Sequence, residues 1–157
     1  MRILVLSDAH GRFAPLEQAI SAQAEAKTVL FLGDGERCFE ELAPLFPDRM
    51  FISVAGNCDF GSVSPAVRVL TLGGVTVYMT HGHLQSVKSG LAELERSARA
   101  AGAQLALFGH THVALARYAD GLHLLNPGSV ARPATGHASY GFVDITPAGI
   151  VTQIVEL

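Results

Sequence analysis

Five short clusters of this 157-residue chain carry carboxylate, imidazole or amide side chains beside glycine. They are Ser7-Asp8-Ala9-His10-Gly11, Gly33-Asp34-Gly35, Gly56-Asn57-Cys58-Asp59, His81-Gly82-His83 and Gly109-His110-Thr111-His112. Together they offer a nitrogen and oxygen donor set that needs no thiolate. Such a set suits manganese, iron or zinc better than calcium or an iron–sulfur cluster. Two divalent ions roughly 3.5–4 Å apart clamp the attacking and leaving oxygens of an in-line displacement at phosphorus. Asp8, His10, Asp34, Asn57, His81, His110 and His112 fill two four-ligand sites if one carboxylate is shared. Asp34 stands alone between the other clusters and is the natural bridge.

Taken singly, each cluster has an ordinary reading. Asp-x-His is commonly a turn or a helix cap, and Gly-Asn is a favoured turn pair. A lone His81 or His83 reads as a satisfied, half-buried imidazole. The strongest fragment is Gly109-His110-Thr111-His112, because two imidazoles so close behind an apolar run seldom serve packing. The combination weighs more than its parts, since all five clusters occupy one topological position.

That position follows from the elements. Ile3–Leu6, Val29–Leu32, Met50–Ala55 and Leu105–Phe108 are short, continuously apolar runs, the pattern of strands buried on both faces of a parallel sheet. Each is followed by one cluster, and the Val75–Thr80 run is followed by His81-Gly82-His83. Sites in open α/β sheets form outside the carboxyl ends of strands, so five ends converge. Neighbouring glycines let the backbone turn sharply there. Helical spacing covers 14–26 and 88–101, with a weaker helix over 37–46 closed by Pro47. Hairpins are expected at Gly73-Gly74, Asp120-Gly121 and Pro147-Ala148-Gly149. Early βαβ alternation and late antiparallel pairs call for two packed sheets with helices on their outer faces.

Composition bounds the rest. Hydrophobic residues make up 49% and charged residues 16% of the chain, enough apolar surface for one domain over 1–157 and too much for disorder. A formal charge of −3 with scattered basic residues leaves no footprint for a long nucleic acid. Cys38 and Cys58 form no disulfide framework or thiolate zinc motif. The opening MRILVLSDAHG is interrupted too early for a signal peptide or membrane span. The expected setting is cytoplasmic, away from the membrane, and exposed apolar hairpin strands could serve a homo-oligomer.

The order Asp8-x-His10, Gly33-Asp34, Gly56-Asn57-x-Asp59, His81-Gly82-His83 and Gly109-His110-x-His112, with Asn126-Pro127-Gly128-Ser129 behind it, resembles the calcineurin-like metallophosphoesterase superfamily. The short length and the Gly-Asn-Cys-Asp form resemble its small YfcE-type phosphodiesterase branch. This resemblance implies a four-layer α/β/β/α sandwich of two mixed sheets flanked by helices. It implies one metal on Asp8, His10, Asp34 and His112, and another on Asp34, Asn57, His81 and His110. Manganese is the first expectation, with zinc, iron or nickel as alternatives. The implied activity is a dinuclear phosphodiesterase that hydrolyses small phosphodiesters through a metal-bridging hydroxide, the metals lowering the pKa of water toward roughly 7. Asn57, His83 and Asp34 are the candidate catalytic residues, the first two neutralising charge on the equatorial oxygens. Many superfamily members carry histidine after the Asn; here Cys58, a poorer acid at neutral pH, stands there. By its residue type Cys58 reads as a small half-buried hydrophobe. Asn126 and Ser129 read as turn residues that tie the ligand loops, and Arg132 as a residue able to meet a substrate phosphate. The rival functions are a protein-binding scaffold of the same fold and a phosphomonoesterase.

Overall fold

The computed structural model describes residues 1–157. In chain order its elements are β1 (Arg2–Leu6), α1 (Phe13–Ala22), β2 (Thr28–Phe31), α2 (Glu36–Leu42), β3 (Met50–Ser53), β4 (Val67–Leu72), β5 (Val75–Thr80), α3 (Ala92–Ala100), β6 (Leu105–Leu107), β7 (Leu115–Ala119), β8 (Leu122–Asn126), β9 (Ser139–Thr146) and β10 (Gly149–Glu156). One sheet runs β10-β9-β1-β2-β3 and the other β4-β5-β6-β8-β7. Both are mixed. β1, β2 and β3 are parallel, with β9 and β10 added antiparallel. β5, β6 and β8 are parallel, flanked by antiparallel β4 and β7.

The continuous apolar runs are explained by strands covered on both sides. Side chains alternate across a strand. Ile3 and Val5 of β1 therefore enter the core between the sheets, whereas Leu4 and Leu6 face the outer helices. Leu30 likewise points between the sheets, where Val77, Met79, Leu105, Leu107 and Leu125 of the second sheet meet it. Phe31 points outward beneath Leu16 and Ile20 of α1 and Phe39 of α2. On the opposite flank Leu94 and Ala98 of α3 cover Ala106, Phe108 and Leu124. Three apolar clusters separate four layers, so the α/β/β/α sandwich expected from the sequence is present.

All three expected hairpins form, through β4–β5, β7–β8 and β9–β10. Two expectations need correction. Met50–Ala55 is not buried on both faces: β3 ends at Ser53 and is the edge of its sheet, with Met50 half exposed. The helix over 37–46 is two pieces, α2 and a 3-10 turn at Ala43–Leu45. Pro44 cannot supply the amide that would continue the α-helix.

Burial of an aliphatic side chain stabilises by about 1.5–3 kcal/mol, and the inter-sheet core holds 14 such buried residues. It fixes the distance between the two groups of strand ends. We predict that Leu30→Ala, which opens a cavity in that core, costs about 2–5 kcal/mol in urea denaturation. Val151→Ala on the exposed edge should change stability by less than about 0.5 kcal/mol.

Candidate metal centre

The two sheets bring their ligand-bearing ends to one pole. Asp8 and His10 follow β1, Asp34 follows β2 and Asn57 follows β3; His81 follows β5, and His110 and His112 follow β6. Backbone bonds weld the loops within each sheet. Asp8 N–H donates to Gly33 O at 3.0 Å, His10 N–H to Asp34 O at 2.8 Å and Gly109 N–H to His81 O at 3.0 Å. Between the sheets, His110 N–H donates to Asp8 Oδ2 at 3.1 Å, and His81 Nδ1 donates to Leu32 O at 2.6 Å.

All seven expected ligands assemble here. Asp8, His10 and His112 place one donor atom each within 4.8 Å of one another, as do Asp8, Asp34 and His81. His81 Nε2 lies 3.1 Å from Asn57 Oδ1 and 3.2 Å from His110 Nδ1. His10 Nε2 lies 3.1 Å from His112 Nε2. Asp34 joins the halves, with Oδ2 3.5 Å from His81 Nε2 and with a place in a further group alongside His10. His83 stands beside them, its ring centroid 5.5 Å from that of His81.

The local backbone is costly. Asp8, His10, Asp34, His110 and His112 all have positive φ, between +47° and +67°. Asp and His tolerate the left-handed region better than most residues but still carry strain there. Close approach sets the glycines. A Cβ at Gly56 would strike Asp34 Oδ1, and one at Gly109 would strike Ser7 Oγ and Asp8 Oδ2. These two make room for ligand side chains, while Gly33, Gly35 and Gly82, at φ +92°, +134° and +104°, supply the sharp turning expected from the sequence.

Support comes from side chains behind the ligands. Asn126 Nδ2 donates to Gly109 O and Thr111 Oγ1. Ser129 Oγ donates to Asp8 O and accepts Arg132 N–H. Asp59 was quoted in the sequence pattern without a role, and it proves to be the main clamp. Its carboxylate accepts the N–H groups of Asp34, Gly35, Glu36 and Gly56 at 2.7–3.0 Å, locking the β2 and β3 loops together. Only the Asx-type spacing Gly56-x-x-Asp59 could have signalled the last of these bonds.

The electrostatics express a need for positive charge. Burial works against ionised His81, but Asp34 and Asp8 overcome it and raise its pKa. Asp34 is penalised by burial, yet His81 and the Cys58 N–H hold its carboxyl far below the usual range. Asp8, 3.1 Å away, raises His112. Burial lowers His10 and His83, and burial with the charge of His81 lowers His110 to about 4. Cys58 departs from expectation. It is exposed on its turn at the lip of the centre rather than half buried as a hydrophobe, with Sγ near Asp34 and His10. Desolvation of the thiol and the carboxylate of Asp34 push it up to about 11.

The calcineurin-like phosphoesterase superfamily domain model matches residues 1–147. The chain belongs to this superfamily. Family membership accords with the two-sheet sandwich and with a cluster of metal-binding side chains at one pole. Among curated relatives, the probable metallophosphoesterase YsnB of Bacillus subtilis is 34% identical over 133 residues, 85% of this chain and 77% of that protein. Phosphodiesterase YfcE of Escherichia coli is 31% identical over 169 aligned positions, 92% of this chain and 88% of that protein. Vacuolar protein sorting-associated protein 29 of Schizosaccharomyces pombe is 35% identical over 105 residues, 64% of this chain and 54% of that protein. A conserved protein from Streptococcus pneumoniae TIGR4, described as a predicted phosphoesterase, superposes with a TM-score of 0.83 at 28% identity. It covers 99% of this chain and 88% of that one. No helix of the chain is long and apolar enough to cross a membrane.

The metals implied by this superfamily fit the residues present. Asp8 Oδ1 is buried with no backbone or amide donor, only the ring nitrogen of His112 at 3.1 Å, an expensive state for a carboxylate oxygen unless positive charge stands beside it. His81 and His112 spend Nδ1 on the carbonyls of Leu32 and Arg132, which turns both Nε2 atoms inward. Each of these Nε2 atoms lies about 3 Å from a ring nitrogen of a second histidine, His10 or His110. We predict that Asp59→Ala destabilises the protein by more than about 2 kcal/mol, since hydrogen bonds to a charged acceptor are lost. Amide exchange at Asp34, Gly35, Glu36 and Gly56 should accelerate by at least tenfold, measured by NMR.

Proposed function

We propose that this chain is a two-metal phosphodiesterase acting on small phosphodiesters. The carrying observation is the convergence of potential ligand atoms on Asp34 and on the buried Asp8 Oδ1. In this reading Asp8, His10, Asp34 and His112 hold one divalent ion. Asp34, Asn57, His81 and His110 hold the other. When bound, such ions supply Lewis acidity that activates water and neutralises charge on phosphoryl oxygens. The mixed donor set favours manganese, with zinc, iron or nickel as alternatives.

The chain's own groups do the positioning. Leu32 O and Arg132 O orient the His81 and His112 rings, so each presents Nε2 at a fixed point. Asn57 is exposed beside His81 and has an amide N–H to offer a phosphoryl oxygen, apart from its contact with Cys58 Sγ. Burial keeps the His83 imidazole neutral at neutral pH, and its buried Nδ1 has no protein partner. In this reading the neutral ring keeps one N–H, which hydrogen-bonds an equatorial phosphoryl oxygen beside Asn57. Cys58 stands at the lip of the centre, its Sγ near Asp34 and His10. Diester preference is supported by the similarity to phosphodiesterase YfcE and by the scattered basic residues, which suit a small substrate over a polymer.

The scaffold reading has one supporting finding, the similarity to vacuolar protein sorting-associated protein 29. A full complement of coordinating side chains favours catalysis. The purified chain with Mn²⁺ is expected to hydrolyse bis(p-nitrophenyl) phosphate, to stop with excess EDTA and to recover on adding Mn²⁺. Asp34→Ala should lower kcat/KM by more than about a hundredfold, a loss larger than that of a supporting residue. Metal binding without turnover of any diester or monoester would favour the scaffold.

A further inference from the structure

The metal centre opens onto a trough that leads away along the loop after β3. Its near part, about 380 Å³, is bordered by His10, Asp34, Cys58 and Asp59, with Arg132 and Arg37 on its walls. Its far part, about 370 Å³, shares Arg37, Cys58 and Asp59 and ends at Phe60. The shared residues make the two parts continuous. Each is the size of a small-ligand subsite.

Phe60 sits at the head of a rigid turn. Ser62 N–H donates to Asp59 O at 3.2 Å, and Gly61 takes φ +79°, as the third position of a type II turn requires. The same Asp59 is held by four backbone donors. The turn therefore cannot fold Phe60 back onto the core, and its side chain is left 93% exposed. A single exposed apolar residue is ordinary. Here the residue is a flat ring on a preorganised loop, three positions from Asn57.

The cations are placed with the same economy. Arg132 is fixed by its own backbone, which donates to Ser129 Oγ at 2.7 Å and accepts from His112 Nδ1 at 2.6 Å. Its charge is felt at His10. In a chain of net charge −3, two guanidinium groups, Arg132 and the Glu41-paired Arg37, line a trough that adjoins the centre. Guanidinium forks match phosphate oxygens, and aromatic rings stack on nucleobases.

Resting on the phosphodiesterase reading, we propose that this trough is a nucleotide subsite, in which Phe60 stacks a base and Arg132 with Arg37 binds phosphate charge. The substrate class is then a phosphodiester of a nucleotide, with its reacting phosphorus at the metal centre and its base on Phe60. Phe60, Arg132 and Arg37 act as specificity residues and take no part in bond breaking.

Calorimetric titration of the Mn²⁺-loaded full chain with adenosine 5′-monophosphate and with ribose 5-phosphate tests this, alongside hydrolysis of bis(p-nitrophenyl) phosphate. The wild type should bind the nucleotide roughly tenfold more tightly than the sugar phosphate, the scale of one stacked base. Phe60→Ala should erase that ratio, Phe60→Tyr should keep it, and Arg132→Gln should weaken both ligands. Tyr118→Ala, at an exposed aromatic on the opposite pole, should leave the ratio unchanged. Equal affinities in the wild type, or a ratio untouched by Phe60→Ala, would overturn the subsite even if the diester is hydrolysed. The same result is expected if Phe60 instead serves a protein partner. A Phe60-dependent preference with no diester hydrolysis would support the subsite and sink the phosphodiesterase reading.

Discussion

His81 and His112 each commit one ring nitrogen to a backbone carbonyl, and that commitment governs the centre. With Nδ1–H bound to Leu32 O or Arg132 O, Nε2 must project its lone pair inward. There it meets two acceptors, Asn57 Oδ1 and the carboxylate of Asp8, together with a ring nitrogen each of His110 and His10. Electron pairs facing one another across 3 Å repel unless positive charge lies between them. In the metal-free protein, protons partly answer that need, which is why His81 and His112 are both shifted upward. Asp8 Oδ1 is buried with no neighbour but the ring nitrogens of His112 and His10, at 3.1 and 3.8 Å, to offer it a proton. A pair of divalent ions answers the need more completely, and the proposed function rests on that.

The remainder of the structure maintains this repulsive arrangement. Five of the seven ligand residues hold a left-handed backbone, a cost that only an over-determined surrounding can sustain. The surrounding is the inter-sheet core on one side and the Asp59, Asn126 and Ser129 hydrogen bonds on the other. Ligands come from both sheets, so the core sets the separation of the two halves as well as the stability of the fold. The same Asp59 clamp that holds Asp34 also presents Phe60 at the mouth of the trough, so the candidate metal site and the proposed subsite share one loop.

Much of this was legible in the sequence. Continuously apolar β1 and β2 announced strands covered on both faces, and glycine-bearing turns announced the three hairpins. The seven candidate ligands were readable because each follows a strand, and strand ends meet at one pole whatever the detail of the loops. What was not readable depends on distance. β3 looks like a buried strand, since a sequence does not reveal that no sixth strand will cover its outer edge. Asp59 bonds to amides 23 to 25 residues away, so no local pattern marks it as a clamp. Cys58 has the composition of a core residue, but its turn lifts it to the lip of the centre.

The central claim is that seven side chains hold two divalent ions with Asp34 shared between them. Electron paramagnetic resonance of the Mn²⁺-titrated chain tests it directly. The account predicts uptake of two ions per chain and, at the second equivalent, the broadened multiline spectrum of an exchange-coupled pair. Binding of a single ion, or two ions whose spectra simply add as isolated centres, would contradict it.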